Sequence, residues 1–200
     1  MPMSLGALSA QERGTKLVPT GIRAYSADRG SVLNSRLPNS IFFSLVALGA
    51  VQVSFYAPRI PEILGSHFSR GGFVNGWQTR TAFFVTEFSM IILATVVSFG
   101  IPRIIAAVPV SLINLPHKEY WLAPERREDT LAYIRVWSAW FGSGLLAFLL
   151  FAMELVFRAN LHTPPQFNNA AFVSAFLAFV AFDTMLVLGL IFHFSKPLGR

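Results

Sequence analysis

Four stretches of the chain are apolar for roughly the length of a bilayer crossing, and polar, Pro- and Gly-containing segments separate them. A hydrocarbon core about 30 Å thick asks for about 20 apolar residues per helix, and the pattern predicts spans over 38–57, 81–100, 136–157 and 170–194. Pro38 suits a first helical turn and Pro58 a stop. Asn168 and Asn169 are cap candidates for the last span. Pro102, Arg103 and Pro109 interrupt the pattern after Gly100, so 101–116 reads as an interfacial or kinked extension and not as a fifth span. The expected fold class is all-α, an integral membrane bundle of four transmembrane helices. It follows a flexible, cytoplasmic tail over 1–37, with an outer loop over 58–80 and an inner connection over 101–135.

Composition agrees with lipid as the solvent. Hydrophobic residues make up 54% and charged residues 13% of the chain, which leaves too little polar surface for a water-soluble domain of 200 residues. Cysteine is absent, and with it disulfide frameworks, thiolate metal sites and cysteine nucleophiles. The net charge of +6 does not gather in one polar domain, so nucleic acid is not an expected partner; the bilayer is. Twelve Lys and Arg residues lie in the N-terminal tail, the 101–135 connection and the C-terminus, against four at Arg59, Arg70, Arg80 and Arg158. The positive-inside bias then puts both termini in the cytoplasm of a cell whose inner (plasma) membrane holds the protein. Trp77, Trp121, Trp137 and Trp140 fall near predicted span ends, as interfacial aromatics do. Ser138 and Gly142, four apart, permit close helix approach within the bundle or in a homodimer.

Three acids interrupt the apolar spans: Glu87, Glu154 and Asp183. An ionised acid at bilayer depth costs at least ~2.5–3.5 kcal/mol, so such side chains face the bundle interior and are candidate site residues. At about 1.5 Å per residue, Glu87 lies roughly 9 Å and Glu154 about 5 Å below the outer surface. Asp183 lies near or past the midplane, alone and the costliest of the three. Arg158 follows Glu154 at i+4, the favourable order for a helical ion pair. These residues outline a polar cavity open to the outer face, lined by Glu87, Glu154 and Arg158 and roofed by the 58–80 loop.

Histidines are scattered, with His67 and His162 expected outside and His117 and His193 inside. No two stand at matching depth for a membrane haem, and no cofactor or metal is expected. The common nucleotide, hydrolase and zinc-protease motifs are not in the sequence, so a non-enzymatic role is expected. The mixed-charge run Glu125 to Asp129 suits a solvated helix start with acids at its positive end.

The outer loop carries a recognisable pattern: Pro61, His67-Phe68, Gly72, Asn75-Gly76-Trp77 and a basic residue opening the next helix. Gly71-Gly72 and Asn75-Gly76 are turn signals, and Phe68, Phe73 and Trp77 suit packing on the membrane face. The pattern resembles a bacterial membrane family catalogued as domain of unknown function number sixteen forty-eight. That family is related to the N-terminal part of SdpI-type proteins, which protect toxin-producing cells from their own peptide toxin. The resemblance covers roughly 40–100. The segments 114–127 and 155–161 also look like shorter members, while Gly65 stands where many members have Pro. It implies an envelope protein that senses, binds or resists an external peptide or small ligand. An accessory subunit of a larger membrane complex is the alternative, and a small transporter using Glu87 and Asp183 the third reading.

Overall fold

The computed structural model describes residues 34–195; the expected tail, apart from its last four residues, and Lys196 to Arg200 lie outside them. Four helices are long and apolar enough to cross a membrane: Arg36–Tyr56, Arg80–Ala107, Arg127–Asn160 and Asn169–Ser195.

Helix α1 (Arg36–Tyr56) carries Pro38 in its first turn, where a missing N–H costs nothing. It ends as the Arg59 and Ile60 amides both donate to the Tyr56 carbonyl, next to Pro58. The segment that follows corrects the all-α expectation. Strands β1 (Ile63–Phe68) and β2 (Val74–Thr79) pair antiparallel, with an irregular register around His67. Gly65 and Gly76 hide the strand period in the sequence. Each is needed for close approach, since a Cβ at Gly65 would lie 2.5 Å from Val74 Cγ2 and one at Gly76 2.9 Å from His67 Cβ.

Thr79 then leaves the strand in extended geometry and caps helix α2 (Arg80–Thr95), accepting from the Ala82 amide at 3.2 Å. This helix does not stop at Gly100. Val96–Gly100 forms a π-helical turn in which the Ile101 amide donates to the Val96 carbonyl, and α3 (Ile101–Ala107) continues the same span. The wider turn accommodates Pro102, whose ring and missing N–H would otherwise break the ladder. A 3₁₀ turn at Val110–Leu112 and a short helix α4 (Lys118–Trp121) complete the connection.

Helix α5 (Arg127–Asn160) starts nine residues before the predicted Val136, because Arg127, Glu128, Asp129 and Arg135 keep its first turns outside the continuous apolar run. Glu128 and Asp129 sit at its positive end, and Thr130 Oγ1 donates to the Trp121 carbonyl at 2.7 Å. It is the central helix, packing against α1, α2 with its π turn, and α6 (Asn169–Ser195). Two buried clusters show how. Near the hairpin, Tyr56, Ile60, Leu64, Phe83 and Phe157 pack together. Farther along the bundle, Phe42, Ala94, Leu146 and Leu150 do so. Ser138 and Gly142 are buried, and a Cβ at Gly142 would overlap Ser98 Oγ, so this pair of small residues serves packing within the chain. Helix α6 packs mainly on α5 and buries none of its most apolar window. Its partnership includes Phe182, against which a Cβ at Gly144 would press, and Trp137 Nε1, which donates to the Leu186 carbonyl at 3.0 Å.

The hairpin and the α5–α6 connection lie at one end and are locked together. Asn160, buried at the end of α5, donates from Nδ2 to the Gly65 carbonyl at 2.8 Å and accepts the Gly65 amide at 2.7 Å. Asn169 Nδ2 donates to the carbonyls of Ser69 and Arg70, and Asn168 provides the helix cap by accepting from the Ala171 amide. Phe68 stacks on Phe167 at 4.7 Å. Gly72 has φ +80° and its carbonyl accepts the Phe167 amide, while a Cβ there would come 2.5 Å from the Phe167 carbonyl oxygen. Gly72→Ala should therefore loosen the hairpin from the connection, at about 1–2 kcal/mol from the left-handed backbone alone. Limited proteolysis between Ser69 and Phe73 should become faster in the variant; an unchanged rate would remove Gly72 from this role.

Candidate functional site

The helix registers decide which polar groups meet. A Cβ at Gly49 would touch Leu150 and Ile91, so α1, α2 and α5 share a level there. Tyr56 stacks on Phe157 at 4.6 Å and Phe83 meets the same ring at 5.5 Å, which marks a second level. About two helical turns separate the two on each helix. Midway between them stand Gln52 on α1, Glu87 on α2 and Glu154 on α5. Glu87 belongs to the inward face of α2 defined by Phe83 and Ala94.

Glu154 is well supplied with donors. Gln52 Nε2 donates to its Oε2 at 2.9 Å, while the Tyr56 hydroxyl and Arg158 Nε donate to Oε1, each at 2.7 Å. The Glu154–Arg158 pair expected from the spacing is present, with Arg158 mostly exposed and Glu154 partly so. Charge-assisted bonds of this length fix the carboxylate and neutralise it. Gln52 Nε2 also reaches the Leu150 carbonyl at 3.1 Å, which pins the amide between α1 and α5.

Glu87 differs in every respect. It is 2% exposed, closed off from the surface that Arg158 faces, and neither carboxyl oxygen has a hydrogen-bond partner. The Gln52 Oε1 atom is buried and unpartnered too. Asp183 stands apart. Its neighbour Phe182 packs at Gly144, ten residues along α5 from Glu154, which is about 15 Å of helix rise. Its Oδ1 is buried without a partner, and adjacent Thr184 donates to the Val180 carbonyl instead.

The hairpin motif divides by direction. Phe68 and Gly72 face the connection, whereas Pro61, His67, Asn75 and Trp77 are exposed. His67 lies over Gly76, and its Nδ1 is 3.1 Å from Ser66 Oγ. On the side that meets the connection, Arg70, His162, Gln166 and Asn168 line an open cleft of about 670 Å³. Glu87, Glu154 and Arg158 do not line it. Among the described residues no three His, Cys, Asp or Glu side chains gather as a metal-binding group.

Sequence reasoning missed Gln52, Tyr56 and Asn160. Gln52 was detectable as an amide inside an apolar span, where polar side chains bond across helices. Tyr56 and Asn160 read as ordinary interfacial residues, and only the fold reveals their partners. No family model, no curated protein and no solved structure matches this chain.

Proposed function

We propose that the chain is a non-enzymatic protein of the inner (plasma) membrane, with both termini cytoplasmic, whose hairpin end faces outward and binds an external peptide or small ligand. The observation that carries the reading is the platform at that end. A hairpin tied to the α5–α6 connection by Asn160, Asn169 and Gly72 holds His67, Asn75 and Trp77 exposed, and a polar cleft lined by Arg70, His162 and Gln166 opens where the hairpin turn meets the connection. Binding residues on loops held by a rigid scaffold are a common functional arrangement, and an exposed Trp is a strong anchor in recognition. The positive-charge asymmetry supports the orientation, and the motif resemblance supports sensing or resistance as the outcome.

The chain has no cysteine, so Asn75→Cys provides a single reporter. A membrane-impermeant maleimide should label it in intact cells; labelling only after lysis would invert the orientation and overturn the reading. With the orientation in hand, deletion of the gene should change sensitivity to externally added membrane-active peptides, and Trp77→Ala should reproduce the deletion while leaving protein level unchanged. Equal sensitivity of all three strains would remove the binding role.

A second reading, an accessory subunit of a larger membrane complex, is favoured by α6. That helix packs along its length mainly on α5 and exposes Phe176, Leu177, Leu188 and Phe192. Stoichiometric co-purification with other membrane subunits after mild solubilisation would favour it.

A further inference from the structure

We infer that α1, α2 and α5 enclose a binding site for a single monovalent cation, with the Glu87 carboxylate and Gln52 Oε1 as its protein ligands. The inference stands apart from whatever the outer platform binds. Three oxygens, Glu87 Oε1, Glu87 Oε2 and Gln52 Oε1, are buried and unpartnered, and all come from side chains on one level of the bundle. Buried polar atoms without partners are rare in folded proteins. These three share a further property: a carboxylate and an amide carbonyl are acceptors only. What satisfies them together is a donor or a positive charge.

Charge decides the valence. Glu154 is neutralised by Arg158 and takes further bonds from Gln52 and Tyr56, so one negative charge, that of Glu87, is left at this level. A monovalent ion makes the site neutral, whereas a divalent ion would leave an unmatched positive charge in the apolar bundle. Hard oxygen ligands select alkali ions over softer metals. Gln52 links the two acids. Its Nε2 is held by Glu154 and the Leu150 carbonyl, which leaves Oε1 no freedom to turn elsewhere and orients it as a ligand.

The test uses the intact protein in lipid nanodiscs and a hydrophobic carbodiimide, which modifies carboxyl groups in apolar surroundings. At fixed pH and ionic strength, the adduct should form on Glu87, and sodium chloride at about ten times its Kd should slow it about tenfold relative to choline chloride. Gln52→Leu should lose the protection. A modification rate equal in sodium, potassium, lithium and choline salts, varying with pH alone, would show a site for a proton only and overturn the inference. Protection surviving in Gln52→Leu would overturn the assigned ligand set. As a check independent of carbodiimide access, sodium should raise the Tm of the wild type and not that of Glu87→Gln; equal behaviour of the two would also overturn it.

Discussion

Gly142→Ala should be among the most damaging single-methyl additions to this protein. The new Cβ would overlap Ser98 Oγ, stand 2.8 Å from Ser98 Cβ and crowd the Ala94 carbonyl. Rotating the Ser98 hydroxyl relieves only the first of these contacts, so α5 and the π turn must separate. Overpacking of this kind costs about 1–3 kcal/mol, and in lipid the cost is felt directly, because close van der Waals packing is a main source of helix association there. Thermal unfolding in detergent, followed by the loss of the monodisperse chromatographic peak, should shift to lower temperature. Ser98→Gly removes the obstructing atoms. Combined with Gly142→Ala it should bring the midpoint above that expected from adding the two single effects, the signature of coupled neighbours. Strict additivity would mean that the two positions do not touch.

Asn160→Ala carries the second large effect, and it concerns the platform rather than the bundle. The side chain holds both polar groups of the Gly65 peptide and also donates to the Val156 carbonyl. Because Gly65 is buried, truncation strands a donor and an acceptor away from water at about 1–3 kcal/mol each. Hydrogen exchange should show the Gly65 amide losing on the order of 3 kcal/mol of protection, while amides in the middle of α5 keep theirs. Asn160→Asp keeps an acceptor for the Gly65 amide and loses the donor, so its Gly65 protection should fall between wild type and Ala. If Asp and Ala were equally protected at Gly65, the amide–carboxyl bond would contribute nothing.

Hydropathy made the four spans legible, since long apolar runs depend on lipid thickness and little on tertiary detail. Their ends were less so. Pro102 ordinarily marks a stop, and only the i to i−5 bond from Ile101 to Val96 shows how α2 passes into α3. Arg127, Glu128, Asp129 and Arg135 kept residues 127–135 out of the continuous apolar run, although they extend α5 as a helix. The hairpin escaped because its strands have six residues each and each contains a glycine, which depresses strand propensity. Of the site, the pairing of Glu154 with Arg158 was visible as an i+4 spacing. The level shared by Glu87, Glu154 and Gln52 depends on the offsets among three helices, which local sequence does not encode.

The central position of α5 has a consequence for how the protein is made. Gln52 and Glu87 leave the ribosome first, whereas Glu154, which fixes Gln52, follows Glu87 by about 70 residues, or several seconds at typical rates of synthesis. During that interval the carboxyl of Glu87 has no α5 beside it, and α1 and α2 have no central helix to close against. The order of synthesis thus implies a waiting state in which the polar side chains of Gln52 and Glu87, on two otherwise apolar spans, have to be sheltered until the third long helix arrives.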